Sequence, residues 1–164
     1  MQHKNVLAVL NDQLARQLLE SNNPVRLAYT SVDGFPRVVP PGFHWNGQQF
    51  VICTIPGAPK IRALEANPKV AMTIDSTAFP PKVLLVRGTA ALDLVDGVPP
   101  EYLAASRKQV GEQGMPAFEA QVRSLYEQMV RITIVPEWAK LIDFETRFPS
   151  AVEPLLKRAA LPSR

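Results

Sequence analysis

Phe35-Pro36-Arg37-Val38-Val39-Pro40-Pro41-Gly42-Phe43-His44-Trp45, followed by Phe50-Val51-Ile52-Cys53-Thr54 and the run from Lys60 to Pro68, is the stretch that decides the fold. Arg37-Val38-Val39 reads as a strand entered from Asp33-Gly34, a pair that tolerates the positive φ of a tight hairpin turn. Neither Pro40 nor Pro41 can donate to a ladder, so the strand has to bulge, bend or lie at an edge there. Asn46-Gly47 makes a second hairpin turn, and Phe50 to Thr54 is the next strand of an antiparallel meander. Ile55-Pro56-Gly57-Ala58-Pro59 is a loop, after which Lys60 opens a short helix that Asn67-Pro68 ends. Arg37 offers a planar fork, Lys60 a point charge at a helix start and Thr54 a hydroxyl, three donors suited to an anion such as a phosphate. They are expected to converge on one sheet edge.

Working outward, Leu7, Leu10, Leu14 and Leu18 recur at helical spacing and predict one amphipathic helix over residues 5–21. Val25, Leu27 and Tyr29 alternate with polar or small residues, as do Val70, Met72 and Ile74, so each run is a half-buried strand. Val83 to Leu94 is a longer strand with a bend or bulge at Gly88. Residues 99–129 read as a helical insertion, divided by Gly111 and by Gly114-Met115-Pro116. Val130, Ile132 and Ile134 form a further strand, Pro136-Glu137-Trp138 a turn, and Lys140 to Phe144 a short last strand. The barrel spans 25–95 and 130–145 within a single domain at 1–149, and 150–164 is expected to be a poorly ordered tail. Six or seven strands in hairpin order with appended helices make an α+β antiparallel barrel.

Composition narrows the function classes. A chain of 164 residues fits one domain with a sizeable core. Of 18 basic and 15 acidic residues, three and one fall in the last fifteen, leaving a near-neutral body of 15 against 14. No basic stripe with interleaved aromatics suggests nucleic acid as a partner. One cysteine and two histidines cannot assemble a zinc-type site, so no metal is expected. Cys53 has no disulfide partner, and neither a signal-peptide core nor a membrane-length apolar run is visible. A cytoplasmic location is the expectation. The carboxylates form no evident acid–base pair, and no serine-centred nucleophile motif occurs.

Four motifs in order carry a resemblance. They are Gly34 to Pro40, the Thr54 to Lys60 loop, the Lys60-Ile61-Arg62-Ala63-Leu64-Glu65-Ala66-Asn67-Pro68 helix, and Val86-Arg87-Gly88-Thr89-Ala90. Together, over roughly residues 5–145, they resemble the pyridoxamine phosphate oxidase-like split barrels. The resemblance implies a six-stranded split β-barrel, a homodimer, and flavin mononucleotide (FMN) in a groove at the dimer interface. It matches Arg37, Val38, Val39 and Pro40 to the strand facing the cofactor, Cys53 and Thr54 to the strand end beside it, Lys60 to the phosphate, and Val83, with Lys82, to the flavin ring.

The chain departs from the family pattern in three respects. Ala58 stands where many members have serine, Pro56 and Pro59 remove two backbone donors, and Thr146-Arg147-Phe148 replaces the Arg-x-His of true pyridoxamine phosphate oxidases. Vitamin B6 oxidation is therefore not expected. The implied function is an FMN-dependent oxidoreductase acting on a small organic molecule. The alternatives are a reductase using the deazaflavin coenzyme F-420 and a non-catalytic flavin-binding or dimeric interaction module. Set against these, Arg37 and Lys60 also read as solvated cations, and Cys53, between Ile52 and Thr54, as a buried small side chain.

Overall fold

The computed structural model describes residues 3–160. Its elements are α1 (His3–Leu10), α2 (Gln13–Glu20), β1 (Arg26–Thr30), β2 (Pro36–Val39), β3 (His44–Trp45), β4 (Phe50–Thr54), α3 (Pro59–Ala66), β5 (Lys69–Asp75), β6 (Val83–Asp96), α4 (Pro100–Leu125), β7 (Gln128–Ile142) and α5 (Glu153–Ala159). Every strand pairing is antiparallel, in one seven-stranded sheet of order β2-β1-β5-β6-β7-β4-β3.

That order forces the barrel. Laid flat, the two edge strands would lie about 29 Å apart, at about 4.8 Å per strand. Yet β2 ends at Val39 and β3 begins at His44, a connection that spans at most about 18 Å. The sheet has to curl until its edges nearly meet, and Pro40 to Phe43 is the crossover between them. Pro40-Pro41 thus splits the one strand read from sequence into β2, paired with β1, and β3, paired with β4. The architecture is the α+β split barrel.

The strand alternation sets the core. In β5, Val70, Met72 and Ile74 are buried while Lys69, Ala71, Thr73 and Asp75 face outward. Each such apolar side chain contributes about 1.5–3 kcal/mol. Leu27, Phe50, Ile52, Leu84, Ile132 and Ile134 complete the barrel interior, which α1 and α2 cover with Val6, Leu10, Leu18 and Leu19. A smaller second core, with Val98, Leu103, Met115, Val122 and Met129, lies beneath α4.

Four expectations need correction. The helix read over 5–21 is two helices, because the Asp12 carboxylate accepts the Leu14 N–H at 2.9 Å and caps a fresh start at α2. Pro136-Glu137-Trp138 is not a turn but a bulge inside one continuous β7: Arg87 pairs with Trp138 and Gly88 with Pro136, leaving Glu137 as the extra residue. Gly88 therefore does mark a bulge, as read. In α4 only Gly111 breaks the helix, with φ 75° and ψ 162°, a conformation essentially restricted to glycine. Gly114-Met115-Pro116 sits within the second arm without dividing it. Finally, residues 153–159 of the tail expected to be poorly ordered form α5, a helix exposed along its length and tethered near its start, where Lys140 Nζ donates to Ser150 Oγ at 2.7 Å and pairs with Glu153 at 3.1 Å. Residues 161–164 of that tail lie outside the described residues.

Candidate functional site

The loop from β4 to α3 brings two of the expected donors together. Ala58 N–H donates to Ile55 O at 3.1 Å, a tight turn that sets Pro59 as the first residue of α3. Lys60 then projects back to the strand end, its Nζ 3.4 Å from Thr54 Oγ1. The lysine is half-buried, and burial lowers its pKa from the ordinary lysine value. Among the described residues no carboxylate neutralises it. Ala58 supplies no side-chain cap, so the helix start remains electropositive. A desolvated cation, a hydroxyl and a helix N-terminus share one corner, an arrangement that fits a phosphate.

Arg37 is placed elsewhere. It lies exposed on β2, its Nη2 3.3 Å from Asp33 Oδ2, and it contacts neither Thr54 nor Lys60 by hydrogen bond among the described residues. Val38, 65% exposed, points from β2 into an open groove of about 530 Å³ on the outer face of the sheet. Val83 lines the same groove, whose floor is Ala28, Ala71 and Thr73 and whose end is closed by the Arg26–Asp75 ion pair. The register explains the flat floor: Val38 pairs with Ala28, Ala28 with Ala71, and Arg26 with Thr73. Val39 and Pro40 lead from this groove into the crossover. The fold thus joins Thr54 with Lys60 and Val38 with Val83, and leaves Arg37 held by Asp33.

Cys53 opens onto a third feature, a cavity of about 240 Å³ between β4, the crossover and α4. Tyr102, Ala105, Ser106 and Gln109 line it from the first arm of α4, and Phe118 from the second. Burial pushes the Cys53 thiol up to about 12, Glu101 adds to the rise, and Arg131 opposes it. Glu101 and Arg131 form an ion pair at 3.6 Å beneath α4, with Glu101 Oε2 and Arg131 Nε buried and unpartnered. Sequence reading named Cys53 but missed the residues that surround it here. Tyr102, Ala105, Ser106 and Gln109 do sit at i, i+3, i+4 and i+7, but a search for apolar stripes passes over small and polar side chains.

The C-terminal loop is committed to structure. Asp143 accepts backbone N–H bonds from Glu145, Thr146 and Arg147 at 2.7–2.9 Å. Burial alone would raise its pKa, but these donors and the Thr146 hydroxyl hold it well below the usual carboxylate range. Arg147 Nη2 reaches Asp12 Oδ2 at 2.7 Å, clasping the loop to the start of α2. The arginine in this loop is therefore engaged within the chain.

Among the described residues, no helix is long and apolar enough to cross a membrane, and no group of three His, Cys, Asp or Glu side chains is placed to hold a metal ion. No curated protein matches the chain. Among solved structures, an F-420 reductase is 29% identical, aligning over 76% of this chain and 94% of its own with a TM-score of 0.60. A FAD-binding protein from Mesorhizobium loti is 22% identical over 77% of this chain and 87% of its own, TM-score 0.51. The heme storage protein HutZ from Vibrio cholerae is 17% identical over 80% and 93%, TM-score 0.56. The last two share the fold. The sequence profile described as pyridoxamine 5'-phosphate oxidase matches residues 12–139, most of the barrel and its insertion. The chain belongs to the pyridoxamine 5'-phosphate oxidase family.

Proposed function

We propose that this protein is an FMN-dependent oxidoreductase that works as a homodimer in the cytoplasm on a small organic substrate. The observation that carries the reading is the half-buried Lys60 beside Thr54 at the start of α3, a cation with no carboxylate partner among the described residues. In this reading Lys60 and Thr54 hold the phosphate. Arg37 turns from its exposed pairing with Asp33, a contact of little energy, to add its planar fork. Val38, Val39, Pro40 and Val83 supply contacts along the rest of the cofactor, and Cys53 is a neutral packing group beside it. The groove containing Val38 and Val83 is open on its outer side, and a second copy of the chain covers it. When bound, the flavin supplies the hydride chemistry, and the protein positions and shields it.

Absorption and fluorescence titration with FMN tests this directly. Saturable uptake is expected, with Lys60→Ala weakening it by about 10- to 150-fold, the loss of a charge-assisted contact. Sedimentation is expected to show a dimer at micromolar concentration. Absence of FMN uptake, or uptake indifferent to Lys60→Ala, refutes the site. One observation favours a second cofactor: the 29% identity to an F-420 reductase. Exposed Arg62 on α3 offers an extra cation for the acidic tail of F-420. A parallel titration with F-420 decides between them. Bound flavin that no nicotinamide donor reduces would identify a binding module instead.

A further inference from the structure

We infer that the cavity roofed by α4 against β4 takes an uncharged, planar organic molecule of about one ring. The cavity opens onto Cys53, one residue from Thr54 at the phosphate corner of the cofactor reading above, but the binding itself does not rest on that reading.

Size comes first. The cavity measures about 240 Å³, whereas an apolar cavity of about 150 Å³ suffices for benzene. One substituted ring fits, with little room beyond it.

The walls decide the shape. Tyr102 and Phe118 come from the two arms of α4 and stack with ring centroids 6.1 Å apart and planes 23° from parallel. The break at Gly111 folds the second arm back so that both rings reach the same cavity. From the crossover, Gly42 faces Ala105 of the first arm, and the pair leaves a flat, small-residue surface: a Cβ built on Gly42 would lie 3.7 Å from Ala105 Cβ. Aromatic and small residues facing one another suit a ring better than a branched aliphatic group.

Polarity decides the class. Ser106 Oγ already donates to Tyr102 O at 2.8 Å, so it is left as an acceptor. Gln109, at the exposed rim, presents both an amide donor and an acceptor. Among the described residues no lysine or arginine lines the cavity. Behind Cys53, Glu101 and Arg131 are paired and offset each other's charge. An anion entering here gives up its hydration without a cation to replace it. A neutral amide, carbonyl or hydroxyl is satisfied at the rim. The phosphorylated and carboxylated rings that a free Lys or Arg would hold are excluded.

The test is ligand-detected NMR titration of the cofactor-free full chain with benzamide, benzoate and phenyl phosphate, alongside a separate FMN titration. Saturable benzamide binding is expected, with benzoate and phenyl phosphate at least about tenfold weaker, consistent with the cost of burying an unpaired charge. Ala105→Leu fills the cavity and is expected to abolish benzamide binding while FMN affinity and melting temperature stay near wild type. Should that variant not fold, Gln109→Leu at the rim is expected to weaken benzamide by about three- to tenfold through one lost hydrogen bond. Benzoate binding as tightly as benzamide overturns the uncharged class. No saturation by benzamide, or binding unchanged in the variants, overturns the site. Benzamide saturation with no FMN uptake upholds this cavity and overturns only the cofactor reading.

Discussion

Gly88→Ala is the substitution whose cost can be worked out most directly from the structure. A Cβ built on Gly88 lies 2.3 Å from the carbonyl oxygen of Val135 and 3.0 Å from Ile134 Cγ2. The first neighbour is backbone in the middle of the sheet and cannot swing aside, so the β6–β7 bulge itself has to open. Overpacking of this kind costs about 1–3 kcal/mol, and a disrupted ladder hydrogen bond adds about 1 kcal/mol. A loss of about 3 kcal/mol corresponds to about 6–12 °C in Tm for a chain of this length. Urea unfolding followed by Trp45 and Trp138 fluorescence measures it. Trp138 also reports the bulge locally, since the Arg87 guanidinium lies 4.5 Å from its ring centroid. Gly57→Ala is the matched control: nothing lies within 4 Å of its built Cβ and its φ is not positive, so stability should stay within about 0.5 kcal/mol or rise slightly. A Gly88→Ala protein within 0.5 kcal/mol of wild type, by about the same measure, would refute the bulge geometry.

Three further outcomes are expected. Asp143 has its pKa depressed in the folded state, so its contribution is fully present above about pH 4 and lost progressively as pH falls from there toward the depressed folded pKa; Asp143→Asn should cost about 1–3 kcal/mol at neutral pH, with the difference shrinking over that acid window. Burial pulls the Lys108 ammonium down to about 8, with Glu20 opposing, although Lys108 donates to Leu19 O at 2.7 Å and sits 3.8 Å over the Phe43 ring. The folded pKa is below the unfolded one, so the cost of the buried cation applies below pH 8, and the urea midpoint of wild type relative to Lys108→Met should rise from pH 8 toward 10.5; the comparison cancels the opposing effect of Cys53, whose raised folded pKa acts in both proteins. With its thiol raised to about 12, Cys53 should resist iodoacetamide at pH 8 in the native protein and react once denatured in urea. Rapid native alkylation would show that the thiol is neither buried nor neutral.

Much of the fold was legible locally. Two-residue periodicity marked β1, β5 and the first part of β7, because a sheet with one buried face imposes alternation directly on the sequence. The turn pairs Asp33-Gly34 and Asn46-Gly47 located both hairpins for a similar reason: few residues tolerate the backbone they need. Errors arose where a long-range partner overrode a local signal. Asp12 reads as one polar residue on a helix, but Arg147, far along the chain, holds it where it caps a new one. Pro136 and Trp138 read as a turn, yet both pair in register with β6 across a bulge that only the Gly88 gap permits.

The candidate site divides the same way. Sequence alone determined the alternating strands, the forced break at Pro40-Pro41 and the Lys60 helix start, since each follows from backbone chemistry over a few positions. Only tertiary structure decided that Lys60 meets Thr54 while Arg37 turns to Asp33, and that Val38 and Val83 share one groove. It alone set Cys53 against a cavity built by two arms of α4. These are meetings of side chains between elements far apart in sequence, chosen by how the sheet curls and which charges lose their water, and no local pattern encodes them.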